Sequence, residues 1–316
     1  MKFLIRIGIG LFALLALVTF SFSLTLVRNL SVRGVPRAKE QLEYHFSLYL
    51  PDNRNSFFNE IIKGAQKAAK ERHAVVSLHS IDPSRYELEM ASYTGVDGIV
   101  VCPYLDDDIA RRQLEKIRNN KIPLVLINHN IPSDQPWPYI GINNYNVGRK
   151  YGAAVNRIAT GPLKLAVVYS DKAPGMFAER ELIEIGITDS LSGKLIGPIM
   201  GFKTSKNPLD AEELIYKLFR TNPQINTLVF TDSSDTIAAV QVLIDMNLVG
   251  RVQIVGFGND PSIIEYIRKG IIAESIVIKA DLIGYEAIKA LTELKATGYT
   301  SASVDTGLEI IDGNSK

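Results

Sequence analysis

The sequence has a single cysteine, Cys102, in 316 residues, so no disulfide can close within the chain and no CxxC pair is present to hold zinc or exchange electrons. Charge of one sign is equally scarce. There are 35 Lys+Arg against 34 Asp+Glu, a formal net charge of +1, which provides no basic face for a nucleic acid. With 46% hydrophobic residues the chain is too apolar to be disordered. The phosphate-loop pattern GxxxxGK followed by Ser or Thr, the hydrolase pattern GxSxG and the zinc-protease pattern HExxH are all missing, and Gly256-Phe257-Gly258 lacks the third glycine of GxGxxG. Asp106-Asp107-Asp108 reads as the solvated, dipole-favoured start of a helix. His45, His73 and His79 stand at no motif spacing with His129. No enzyme activity, cofactor or metal is expected.

What is present first is an apolar amino terminus. After Lys2 and Arg6, the 21 residues Ile7 to Val27 carry no charge. At about 1.5 Å per residue they reach roughly 30 Å, the thickness of a bilayer's hydrocarbon. The run exceeds the apolar core of a typical cleaved signal, Ser21-Phe22-Ser23 is a poor cleavage site, and no cysteine follows to accept a lipid. Residues 1–27 are therefore expected to form an uncleaved signal anchor, with a cleaved signal as the alternative. Basic residues before the span favour an internal amino terminus, despite Arg28, Arg33, Arg37 and Lys39 after it. The expected location is a single-pass cell-membrane protein with an extracytoplasmic binding domain. Setting aside Lys2 and Arg6 leaves that domain at about −1, with no electrostatic reason to seek DNA or anionic lipid.

Residues 28–41 read as a linker. Beyond them short apolar runs alternate with amphipathic segments. Strands are expected at Phe46–Leu50, Ala74–Leu78, Gly98–Val101, Leu124–Ile127, Leu163–Val168, Leu195–Met200, Thr227–Phe230, Gln253–Gly256 and Ala273–Ile278. Between them Phe57, Phe58, Ile61, Ile62, Ala65, Ala68 and Ala69 recur at helical spacing, and similar helices fit Asp107–Asn119, Val147–Ile158, Ala211–Phe219, Thr236–Met246, Ser262–Lys269 and Leu282–Glu293. This alternation predicts α/β architecture with parallel sheets covered on both faces. DGIVVCPYLDDDIARRQLEKIRNNKIPLVLIN and NTLVFTDSSDTIAAVQVLIDMNLVGRVQIVGFG share one layout of strand, polar turn, helix and strand. Two similar lobes follow, with ligand expected beyond the carboxyl ends of their strands.

The segments LYLPDNRNSFFNEIIKGAQKAAKE, GVDGIVVCP, IPLVLINHN, YIGINNYNVGRKYG, LVFTDSSDTIAAVQVL, VQIVGFGNDPSIIEYIRKG and AESIVIKADLIGYEA resemble, in order and spacing, the type I periplasmic binding proteins of the ribose and galactose branch. The likeness runs over nearly all of Leu42 to Ile311. It implies two Rossmann-like lobes joined by a three-segment hinge, with sugar bound between them. The lobes are expected at 42–143 plus 279–304 and at 144–278 plus 305–316, with crossings near Asn143–Asn146, Ile276–Lys279 and Val304–Leu308. LacI-type repressors share this core but carry a helix-turn-helix where this chain has its apolar run.

The same resemblance supplies a candidate pocket. A sugar site needs planar polar groups for hydroxyls and rings for C–H faces. Asn55 matches a hydroxyl-binding asparagine, and Phe57 and Phe58 a stacking pair, although the two rings can equally pack the helix they begin. The family's Asp-Arg pair is replaced by Asn128 and His129, and an asparagine before proline by Cys102. The arginine over the ring oxygen aligns with Ala178 or, after a small shift, with Arg180, beside Phe177 and Met176. A family aromatic falls on Asn207. Ser233, flanked by Asp232 and Ser234, replaces an asparagine. Gly258 replaces an aspartate, leaving Asn259 and Asp260 as substitutes, and Ile278, followed by Lys279, replaces a glutamine. The fold pattern is strong and the ribose pattern largely gone. Either the pocket is rebuilt for another small polar ligand, or the lobes chiefly contact protein. The first expectation is an anchored sugar-binding subunit that signals closure to a sensor histidine kinase. The alternative is the substrate-binding component of a sugar ABC transporter, acting with its permease.

Overall fold

Alternate residues of each central strand enter different cores, as the two-residue period of a strand covered on both faces requires. Phe46, Leu48 and Leu50 of strand β1 (Tyr44–Pro51) join one buried cluster and Tyr49 another. Strands β3 (Gly98–Val101) and β4 (Leu124–Ile127) divide the same way, with Val100, Val125 and Ile127 on one side and Ile99, Val101, Leu124 and Leu126 on the other. In β6 (Leu165–Ser170), Leu165, Val167 and Tyr169 face opposite to Ala166 and Val168. The computed structural model describes residues 15–25, 44–51, 56–81, 87–103, 107–172, 179–191, 193–205, 207 and 209–313.

Residues 44–316 hold two six-stranded sheets of matching order. With β2 (Ala74–Ile81), β5 (Tyr139–Gly141) and β11 (Ser303–Asp305), the first runs β2-β1-β3-β4-β5-β11, all parallel. The second combines β7 (Met200–Thr204), β8 (Thr227–Phe230), β9 (Gln253–Phe257), β10 (Glu274–Ile278) and β12 (Leu308–Asp312) as β7-β6-β8-β9-β10-β12, and only β12 runs antiparallel to its neighbour. The chain passes between the sheets three times: after β5, after β10 and between β11 and β12. An α/β fold of two parallel-sheet lobes is thus present. The two sequence segments of shared layout occupy equivalent places, β3 to β4 in one sheet and β8 to β9 in the other.

Each lobe is braced by one close helix pair. Helix α1 (Ser56–Glu71) packs on α9 (Ala280–Thr297), and α4 (Asn144–Ile158) on α5 (Arg180–Leu191). Glycine permits the approach. A Cβ on Gly64 would lie 1.8 Å from the Asp281 carbonyl oxygen, and one on Gly148 2.1 Å from that of Ile183. The α1–α9 contact fixes Phe57 relative to the chain crossing that follows β10.

Two expectations are corrected. The strand expected at Leu195–Met200 begins only at Met200, because Gly197 at φ +82° and Pro198 interrupt the run, and Leu195 makes just an isolated bridge to Leu163. The single-pass membrane location also fails: among the described residues no helix is long and apolar enough to cross a membrane. Residues 15–25 are helical, and eleven residues rise about 16 Å, roughly half a bilayer's hydrocarbon. The rest of the expected span and the linker 28–41 lie outside the described residues.

Candidate functional site

Strand order reverses between β1 and β3 and again between β6 and β8, and such reversals open a crevice beyond the carboxyl ends of the strands. A cleft of about 430 Å³ occupies that position. Phe57, Glu60 and Asn128 line it from the first lobe, and Lys172, Thr231, Asp232, Ser233 and the turn Phe257–Asp260 from the second. The crossing segment Val277–Leu282 and Glu309 form its back.

Local backbone chemistry sets the walls. Asn128 follows β4 with φ +62°, a left-handed conformation that asparagine tolerates, and its N–H donates to the Ile140 carbonyl at 3.1 Å. Its amide nitrogen lies 4.0 Å from Cys102 Sγ. Burial pushes the Cys102 thiol up to about 12, only weakly opposed by that amide, so the sulfur stays protonated and unreactive. Across the cleft, Asp232 caps helix α7 (Ser233–Asp245) by accepting from the Asp235 N–H at 3.1 Å. The cap leaves Ser233 and the Asp232 carboxylate at the cleft edge.

Beneath that cap lies a buried ionic cluster. Lys172 Nζ lies 2.7 Å from Asp235 Oδ1 and 3.6 Å from Asp232 Oδ1. Thr204 Oγ1 donates to Asp235 Oδ2 at 2.5 Å and lies 3.2 Å from the Ser170 hydroxyl. Burial, with Asp235 nearby, raises the Asp232 carboxyl above its ordinary value, and Lys172 acts against this. For Lys172 burial opposes the charge, but the Asp235 hydrogen bond and the two carboxylates hold its ammonium above the ordinary lysine value.

Of the residues singled out in the sequence, the cleft brings together Phe57, Asn128, Asp232, Ser233, Gly258, Asn259, Asp260, Ile278 and Lys279. Phe58 turns the other way. It is 2% exposed within the core, its ring 5.3 Å from that of Phe57 and nearly perpendicular to it. His129 is buried behind the wall, its Nε2 2.9 Å from Asp107 Oδ1 and its Nδ1 without a hydrogen-bond partner. Arg180 begins helix α5 and is not among the lining residues. Asn207 is exposed, its side-chain oxygen accepting from the Leu209 N–H at 3.2 Å, also away from the lining. Asn55 and Phe177 lie outside the described residues.

Sequence reading missed Lys172, Phe257 and Asp281. Lys172 stands two residues past β6, as Asp232 stands two past β8, so strand-end position was the one signal that pointed to it. Phe257 sits inside the GFG turn already noted. Among the described residues no group of three or more His, Cys, Asp or Glu is placed to hold a metal ion.

Comparison with known proteins sets this cleft among relatives. A family model described as a periplasmic binding protein domain matches residues 46–298. GanP, a glucose-galactose binding protein from Geobacillus stearothermophilus, is 24% identical, with 85% of this chain and 97% of that chain covered and a TM-score of 0.76. An ABC transporter periplasmic solute binding protein from Actinobacillus succinogenes, solved with D-allose bound, is 18% identical over 86% of this chain and 98% of that one, with a TM-score of 0.74. The XylFII-LytSN complex contains a chain 24% identical to this one over 86% of this chain and 99% of its own, with a TM-score of 0.71. No curated protein sequence matches the chain.

Proposed function

The chain belongs to the periplasmic binding protein domain family, and from that premise we propose that it is the sugar-binding component of an ABC transporter, working outside the cytoplasm. The observation that carries this reading is the cleft of about 430 Å³ between the two lobes, a volume suited to a small polyhydroxylated ligand. Phe57 and Phe257 supply apolar faces from opposite lobes, and Asn128, Asp232, Ser233 and Asn259 supply donors and acceptors for hydroxyls. Ligand contacts both lobes only when they close, so binding stabilises the closed form that a permease recognises. The relatives support a binding role rather than an enzymatic one: GanP is a glucose-galactose binding protein, and the Actinobacillus protein carries D-allose.

A sensor role rests on a fixed membrane anchor, and no helix among the described residues is long and apolar enough to provide one. The transporter component is therefore the better supported of the two. One observation keeps a second reading in view: XylFII, of this fold, occurs in a complex with LytSN, which favours a protein partner such as a sensor histidine kinase.

Thermal unfolding against a panel of hexoses, pentoses and polyols tests the carrier. Ligand at a hundred times its Kd adds about 2.7 kcal/mol, a rise of several degrees in Tm. No stabilisation by any of them would sink the reading. A pull-down with and without the stabilising sugar then separates permease from kinase.

A further inference from the structure

Charge is distributed unevenly around the cleft. Among the described residues Glu60, Asp232, Asp260, Asp281 and Glu309 line it, against two cations, Lys172 and Lys279. Both cations are engaged. Lys172 sits between Asp235 and Asp232, with its side chain 10% exposed, and Lys279 lies 3.1 Å from Glu309. Glu60 is paired outward with Lys63 at 2.5 Å. Among the described residues neither Asp260 nor Asp281 has an ion-pair partner, and no arginine lines the cleft.

Two consequences follow from elementary electrostatics. A ligand carboxylate or phosphate would find no free cation among the described lining residues and would have carboxylates on both sides, which disfavours acidic sugars. An ammonium group would meet Asp260 from the second lobe and Asp281 from the hinge segment, and would bring charge-assisted hydrogen bonds to two carboxylates that have no ion-pair partner among the described residues. Phe57 and Phe257 add a second feature independent of the carboxylates, because aromatic faces attract a cation that is leaving water.

We infer that the cleft selects an amine-bearing sugar, an amino sugar or amino polyol, over its neutral and acidic counterparts. Asp260 and Asp281 are the residues that set this preference, an inference that rests on the sugar-binding reading of the same cleft. Closure brings the ammonium between one carboxylate from the moving lobe and one from the hinge. The charge thus helps to hold the closed form as well as to recognise the ligand.

Titration calorimetry of the full chain tests this with matched series: D-glucose, D-glucosamine and D-glucuronate, then D-galactose, D-galactosamine and D-galacturonate, at a pH where the amines are protonated. The amino sugar of at least one series is expected to bind at least ~10-fold more tightly than its neutral parent, about 1.4 kcal/mol, and the uronate more weakly than either. Asp260→Asn and Asp281→Asn are each expected to reduce that ratio several-fold, the amino sugar losing more affinity than its neutral parent in the same variant. The preference should also shrink as salt rises. Neutral sugars binding as tightly as their amino forms, or uronates binding best, would overturn the inference and leave the sugar carrier standing. Absence of binding by every member would overturn the inference, while the sugar carrier would fall only if the wider panel of hexoses, pentoses and polyols also failed. Should either variant unfold, the salt dependence of the wild-type ratio decides the matter alone, and a ratio unchanged by salt counts against the inference.

Discussion

Lys172 Nζ lies 2.7 Å from Asp235 Oδ1, joining the turn after β6 to the first turn of α7, with the carboxylate side chain only 1% exposed. The pair sits directly under the strand ends that form one wall of the cleft. Thr204 donates to the other oxygen of Asp235, and its hydroxyl is in turn held near that of Ser170, so the charges are kept in a fixed geometry.

Removing the cation should therefore cost stability well beyond a lost surface pair. Lys172→Met leaves Asp235 and Asp232 buried without their counter-ion, a change expected to destabilise by about 3–5 kcal/mol. Adding Asp235→Asn should recover part of that loss, because one buried charge then disappears with its partner. Urea denaturation of the single and double variants checks both. A double variant no more stable than Lys172→Met would show that the second carboxylate is not the source of the cost.

The same cluster gives the protein an alkaline limit. The folded value for Lys172 is raised above its ordinary 10.5, so its contribution is fully present below the unfolded value and is lost as pH rises through the folded one. Stability measured from about pH 9 to pH 12 should decline more steeply in the wild type than in Lys172→Met, in which buried tyrosines such as Tyr151 still contribute a slope. Equal slopes in the two proteins would remove Lys172 as the cause.

Neighbouring phenylalanines should respond in opposite ways. Phe58→Ala opens a cavity in the first lobe and is expected to cost about 3–5 kcal/mol of stability. Phe57→Ala, on the cleft side of the same turn, should change stability little and weaken sugar binding roughly tenfold, as loss of a stacked ring does. Denaturation and calorimetry on both variants separate the two effects. Loss of binding in neither variant would move the ligand away from Phe57.

The contrast between these two rings shows how far the sequence could be read. Strand periodicity made the buried β1, β3, β4, β6, β8 and β9 legible, because both-face burial writes an uninterrupted apolar run. Three-residue strands such as β5 and β11 carry no such run and were not visible. Resemblance pointed to Phe57 and Phe58 together, yet adjacent helical residues differ by about 100° in direction, so only the packed structure separates wall from core. Lys172 was hidden for a different reason: its partner Asp235 lies 63 residues away, and pairing across strands leaves no local mark. The apolar run at the amino terminus was judged by length and charge alone, whereas among the described residues only 15–25 of it are helical.

Helix approach supplies the sharpest test of the architecture. A Cβ on Gly64 would meet the Asp281 carbonyl oxygen at 1.8 Å and one on Gly148 the Ile183 carbonyl oxygen at 2.1 Å, both backbone atoms that cannot swing aside. Gly64→Ala and Gly148→Ala must therefore push whole helices apart, at an expected cost of about 1–3 kcal/mol or more each. Gly161→Ala is the control. Nothing lies within 4 Å of its Cβ position and its φ is not positive, so the substitution should be neutral or stabilise by up to about 1 kcal/mol through the unfolded chain. Gly64→Ala carries a further consequence, because displacing α9 from α1 moves Asp281 and Leu282 away from Phe57 at the back of the cleft. Weaker sugar binding is expected in Gly64→Ala and not in Gly148→Ala, whose helix pair lines no part of the cleft, even where their losses of stability are alike. Parallel calorimetry on the two variants, run below their unfolding transitions, reads that difference directly, and equal loss of affinity in both would break the link drawn between the α1–α9 contact and the site.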